Sequence, residues 1–288
     1  MTGENKLGRI HYRDEENDEV AGIKRNTVSV NKTFRYIRKN PLWRIAEFVV
    51  YRLIMMPFAY LYCKIKFHHK VIGREKLKVC KNKGYFMYGN HTLYGGDAFI
   101  PNLINRPRKT YVIVHADNIS LPLTKNFLLM NGAIPIPTDF HAKKNFLGAI
   151  EKRIVEHNCV TIYPEAHVWP YCTFIRPLHT SAFAYPVKFR DPVYCFTNTF
   201  SHKKHGKTPG VTTYIDGPFY PDEELGAREQ MKKLSSQVFE AMEKRARLST
   251  YTPIEYVKDA PAVTRADADV RKDSASSDSI VNANNTAI

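Results

Sequence analysis

The sequence predicts an α/β layer fold, and three observations carry the prediction. Short apolar runs rich in β-branched and aromatic residues recur through the middle of the chain, segments of helical character separate several of them, and polar stretches without an apolar period bound the region at both ends. The strand-like runs are Tyr85–Gly89, Thr110–Val114, Cys159–Tyr163, Tyr185–Phe189, Val193–Asn198 and Val211–Ile215. Between them, Asp97–Ile104, Pro122–Asn131 and Ala142–His157 read as helices. A last helix opens at Pro221. Asp222, Glu223 and Glu224 occupy its first turn and Lys244, Arg245 and Arg247 its last, so the charges match the helix dipole at both ends. Leu225, Met231, Leu234, Val238 and Met242 form its buried stripe.

Four regions follow. Residues 1–31 form a polar leader, and residues 251–288, rich in Ser, Asp, Asn and Ala, a disordered tail. The leader lacks the apolar core of a signal peptide. Residues 32–70 form an amphipathic helical segment, and residues 71–250 the α/β body. The apolar stretch Ile45–Tyr62 is long enough to cross a bilayer, but Glu47, Arg52 and Pro57 interrupt it. Lys32, Arg35, Arg38, Lys39 and Arg44 precede it, and Lys64, Lys66 and Lys70 follow. Trp43, Tyr51, Tyr60 and Tyr62 add interfacial aromatics. An apolar face flanked by cations suits a helix lying in the plane of an anionic membrane, where each cation contributes about 1 kcal/mol. The competing arrangement is a buried helix broken at Pro57.

A net charge of +15 asks for an anionic partner. Glycine-rich RNA-binding signatures, zinc-finger spacings and helix-turn-helix signals are absent, and the cations gather around the apolar stretch, so the expected partner is a phospholipid surface and not nucleic acid. The five cysteines, Cys63, Cys80, Cys159, Cys172 and Cys195, include no Cys-x-x-Cys pair and read as free thiols in a reducing compartment. His202 and His205 lie in a Lys/Gly loop that reads as a solvated turn, so no metal is expected. The Gly-x-Ser-x-Gly elbow of a serine hydrolase is missing.

Two stretches carry chemistry. Gly89–Asp97, GNHTLYGGD, follows an apolar strand, and Gly95 and Gly96 let the backbone fold Asp97 back toward His91. A carboxylate on one imidazole nitrogen leaves the other free to take a proton from a hydroxyl. In Cys159–Tyr171, CVTIYPEAHVWPY, a strand runs into a proline turn that places Glu165 at its end.

Taken in order, these stretches resemble the 1-acylglycerol-3-phosphate acyltransferase family, the lysophosphatidic acid acyltransferases of phospholipid biosynthesis. Lys70–Glu75 resembles the lead-in to its first block, Asn90-His91 followed by Asp97 its Asn-His and Asp box, and Gly132–Ile136 its second block. Tyr163–Ala166 resembles the Phe-Pro-Glu-Gly block, and Ala184–Val187 the final apolar-Pro block. The resemblance implies a single acyltransferase domain with a mixed β-sheet flanked by helices, preceded by a membrane-docking helical segment. It implies His91 as general base, Asp97 as its partner, and Asn90, Glu165 and Gly132 lining the acceptor site. Acyl-CoA or acyl carrier protein would be the co-substrate and a lysophospholipid the acceptor, with no bound cofactor. The basic segment and the lack of a signal-peptide core predict attachment to the cytoplasmic face of the cell membrane. Departures are also present. Five residues separate His91 from Asp97 where the family has four, Thr138 stands at an arginine position, and Ala166-His167-Val168 replaces Gly-Thr-Arg. Lys143, Lys144 and Arg176 are the nearby substitutes for the missing phosphate ligands. The altered spacing leaves open a second reading, a non-catalytic lipid-binding protein on the same fold.

Overall fold

The computed structural model describes residues 7–22, 28–120, 122–206 and 208–259. A seven-stranded mixed sheet forms its centre, in the order β2-β8-β7-β3-β6-β4-β5. The strands are β2 (Lys70–Ile72), β3 (Tyr85–Gly89), β4 (Thr110–Val114), β5 (Ala133–Pro135), β6 (Cys159–Ile162), β7 (Val193–Ser201) and β8 (Gly210–Phe219). Strands β3, β4, β5, β6 and β7 run parallel, while β8 returns antiparallel to β7 and carries β2 parallel to itself at the edge. Every residue of β3 is buried, as a central strand covered on both faces requires. Its side chains alternate. Tyr85 and Met87 join the core beneath the N-terminal helices, and Phe86 and Tyr88 join the core beneath α5 (Lys143–Val155) and α7 (Ala227–Ala246).

The segment 41–67 is one continuous helix, built from α1 (Pro41–Phe48), a wider π-helical passage over Val49–Met55, and α2 (Met56–Phe67). Pro57 therefore does not break it. A proline inside a helix removes one N–H donor and crowds the preceding turn, and the wide passage just before Pro57 relieves that crowding within an unbroken helix. Tyr51, Met55, Ala59, Cys63 and Phe67 form its buried stripe against the sheet. Tyr51 donates its hydroxyl to Asn102 at 2.8 Å, and Glu47 pairs with Lys109. The opposite face leaves Ile45, Phe48, Leu53, Ile54, Leu61 and Ile65 exposed.

Three elements differ from the sequence expectation. Tyr185–Phe189 lies in a helix, α6 (Ala184–Phe189), not a strand; Pro186 sits in its first turn, where the missing N–H has no intrahelical acceptor to lose. The last helix begins at Ala227, because Asp222 uses its side chain to accept from the Glu224 N–H in a preceding turn. Only Ile100–Ile104 of the segment expected to begin at Asp97 is helical, forming α3.

The polar ends also hold structure. Gly8–Tyr12 of the leader forms β1, which pairs in parallel with β9 (Ile254–Lys258) from the segment expected to be disordered. Tyr12, Val20, Phe174 and Tyr256 pack around Trp169, whose indole N–H donates to the Asp18 carbonyl at 2.9 Å. The clasp was hidden because each strand is short and mostly polar and its partner lies at the other end of the chain. Residues 260–288 fall outside the described residues.

Candidate active site

Strand β3 ends at Gly89 and delivers Asn90 and His91 to the C-terminal edge of the parallel strands, where open α/β sheets place their ligands. Asn90 is buried and forms two hydrogen bonds to the backbone of β7: its Nδ2 donates to the Asn198 carbonyl at 3.1 Å, and its Oδ1 accepts from the Asn198 N–H at 2.8 Å. Its amide is thereby committed to fixing the start of the His91 turn. It does not face an acceptor.

The chain then curls through Thr92–Gly96, with Gly95 at a φ of 80°, a left-handed conformation that costs glycine little. This turn absorbs the fifth intervening residue. His91 Nδ1 and Asp97 Oδ2 stand 2.7 Å apart, and the same oxygen accepts from the Leu93 N–H at 2.9 Å. Burial pushes the Asp97 carboxyl above its ordinary value, and the hydrogen bond and charge of His91 oppose that shift. With Asp97 ionised, Nδ1 carries the proton and donates, so Nε2 is left as the acceptor.

The loop after β6 (Tyr163–Cys172) supports this pair. Tyr163 stacks on the His91 ring with centroids 4.3 Å apart and donates its hydroxyl to the Asp97 carbonyl at 2.6 Å. The Trp169 N–H reaches the His91 carbonyl at 3.0 Å, and the Tyr171 N–H reaches that of Thr92 at 2.7 Å. Tyr163 as a contact of His91 was not legible in the sequence; an aromatic residue just past the end of the neighbouring strand was the available signal.

Glu165 lies beneath the turn, not in an open cleft. Its Oε2 accepts from the His91 N–H at 3.1 Å and from Arg176 at 3.0 Å, and its Oε1 accepts from the Arg176 N–H at 3.2 Å. Glu165 is 1% exposed and Arg176 fully buried. Arg176 also donates to the carbonyls of Glu165, His167 and Glu15, with its guanidinium carbon 4.7 Å from the Trp169 ring centroid. Burial pushes the Glu165 carboxyl up, opposed first by the Arg176 charge. The pair therefore acts as a buried strut for His91. Arg176, expected to bind acceptor phosphate, has its guanidinium taken up inside the protein.

Gly132 lies at the opposite end of the sheet. It precedes β5, its φ is 92°, and a Cβ there would stand 2.3 Å from the Thr110 carbonyl oxygen at the start of β4. Gly132 is thus a turn residue remote from His91. Lys143 and Lys144 are exposed at the start of α5. They share the His91 end of the sheet but follow β5, three strand steps from β3, or roughly 14 Å. All five cysteines are buried and free. Among the described residues no group of three or more His, Cys, Asp or Glu side chains could hold a metal ion.

No family model and no curated protein sequence matches this chain. Among solved structures it is similar to the 1-acyl-sn-glycerophosphate (LPA) acyltransferase PlsC from Thermotoga maritima, with 13% identity and a TM-score of 0.51 over 73% of this chain and 84% of that one. A likeness spread over most of both chains at so low an identity is a likeness of architecture, and the chain has the fold of that acyltransferase.

Proposed function

We propose that this protein is a membrane-surface acyltransferase that moves a fatty acyl group from acyl-CoA or acyl carrier protein to the free hydroxyl of a lysophospholipid such as 1-acylglycerol-3-phosphate. The observation that carries the reading is the 2.7 Å contact between His91 and buried Asp97 at the C-terminal edge of the sheet, in a fold shared with an acyltransferase. His91 Nε2 takes the proton of the acceptor hydroxyl while its oxygen attacks the thioester carbonyl. The tetrahedral adduct collapses as the C–S bond breaks, and the imidazolium returns its proton to the departing thiolate. Asp97 steadies the charged ring, and the Tyr163 stack and the Glu165 bond to the His91 N–H fix its position. The exposed apolar face of residues 41–67, with basic segments on either side, supports peripheral or monotopic attachment to the cytoplasmic face of a membrane.

The test measures thiol release from acyl-CoA, and separately from acyl carrier protein, by protein on vesicles carrying a panel of lyso-lipids. Acceptor-dependent release is expected, reduced about 10²- to 10⁴-fold in His91→Ala with vesicle binding retained. Release no greater than that of the variant across the panel would favour the non-catalytic lipid-binding protein.

A further inference from the structure

The proposed acceptor carries a phosphate, yet the cations at first sight available for it are elsewhere. Arg176 is enclosed with Glu165, and Lys143 and Lys144 stand three strands away. A different cation is tied to the His91 turn. Lys66, in the last turn of α2, is half-buried and donates to the Tyr62 hydroxyl at 2.8 Å. That hydroxyl is 3.1 Å from where a Cβ on Gly95 would lie, inside the loop joining His91 to Asp97. Among the described residues no carboxylate pairs with Lys66.

Two further features fix Lys66 in place. Its carbonyl accepts from Lys203 at 2.6 Å and from Thr208 at 2.7 Å, both at the tip of the β7–β8 hairpin. Its ammonium lies 5.0 Å from the Tyr62 ring centroid and 5.5 Å from that of Phe67. The hydrogen bond that Lys66 donates to Tyr62 pushes the Lys66 pKa up and burial opposes it, so the group stays charged. Tyr171 completes the cluster. Its phenol is close enough to interact electrostatically with both Lys66 and Tyr62, and its N–H holds the Thr92 carbonyl. Its backbone φ is 54°, a left-handed conformation that is costly for a bulky residue and concentrates at functional sites.

We propose that Lys66, with the hydroxyls of Tyr62 and Tyr171, forms the subsite that takes the phosphate of the acceptor lipid beside His91. The assignment rests on the acyltransferase reading above. The location suits an acceptor that slides from the bilayer, because the helix whose exposed face meets the membrane ends on the cation that would receive the headgroup. Lysine supplies a compact point charge, and each phenol adds a donor to a phosphate oxygen.

The experiment compares wild type with Lys66→Met, which keeps the aliphatic stem against Tyr62 and Phe67, and Lys66→Arg, which keeps the charge. In the first arm, cosedimentation with phosphatidylcholine vesicles is measured with 1-acylglycerol-3-phosphate or with monoacylglycerol added. Wild type should gain affinity from the phosphate-bearing lipid, Lys66→Met should lose that gain, and Lys66→Arg should recover most of it. In the second arm, the ratio of KM for the phosphate-bearing acceptor to KM for monoacylglycerol should rise about tenfold in Lys66→Met. A phosphate-dependent gain in binding that survives Lys66→Met overturns the subsite, and so does a KM increase confined to acyl-CoA, which would give Lys66 to the donor. If wild type releases no thiol yet shows phosphate-dependent binding that Lys66→Met abolishes, the transferase reading falls and the subsite stands.

Discussion

Glu165 and Arg176 illustrate how far burial decides a residue's role. Both look like surface charges in a loop, eleven positions apart, and only the folded chain encloses them together. An ion pair so enclosed contributes little net stability, but removing one partner leaves the other charge uncompensated. Arg176→Met is therefore expected to destabilise the protein by about 3–5 kcal/mol, read from the midpoint of denaturant unfolding; a loss below about 1 kcal/mol would contradict the strut assigned here. His91 and Asp97 were legible in sequence because one short loop carries both, so their meeting depends on local geometry and the two glycines between them. Asn90 and Gly132 were legible only as positions that matter. Asn90 spends its amide on the β7 backbone, and Gly132 answers to the Thr110 carbonyl at the far end of the sheet.

Elements followed the hydrophobic pattern where they were long enough to display one. β3, β4 and β6 read clearly because central strands need continuous apolar runs. β2 and β5 have three residues each, too few to establish a period. Tyr185–Phe189 shows the opposite failure, since an aromatic and β-branched run was drawn into helix by its contacts with α7. The helix over 41–67 carries the clearest consequence at this scale. Ile45 and Ile65 are 61% and 71% exposed, so changing either to Glu removes little packing from the fold. Ile45→Glu and Ile65→Glu should each shift stability by less than about 0.5 kcal/mol. Each should weaken binding to anionic vesicles tenfold or more, since burying one isoleucine is worth about 1.5–3 kcal/mol. Unchanged vesicle affinity with both substitutions combined would place the membrane contact elsewhere.

At the scale of the molecule, the β1–β9 pair ties both ends of the described chain to the loop that supports the candidate base. Tyr12 and Tyr256 enclose Trp169, Tyr256 donates to the Pro170 carbonyl at 2.8 Å, and Trp169 holds His91 through its N–H. Deleting residues 1–22 is expected to uncover Trp169 and cost roughly 3 kcal/mol or more. In a Trp43→Phe background the remaining tryptophan emission should move to the red, and amide exchange over residues 165–172 should accelerate; blue, protected emission would show that the leader is dispensable there. Composition could not reveal this closure, because pairing across 246 positions leaves no local trace.

The same clasp sets an order of events during synthesis. The sheet, the His91–Asp97 turn and the Glu165–Arg176 strut are all translated before Ile254, but the strand that completes the clamp on Trp169 is the last described element to leave the ribosome. A nascent chain can thus assemble its core while the turn bearing the candidate base still lacks its final brace, and a message truncated near codon 250 would yield a folded body with a slack His91 turn.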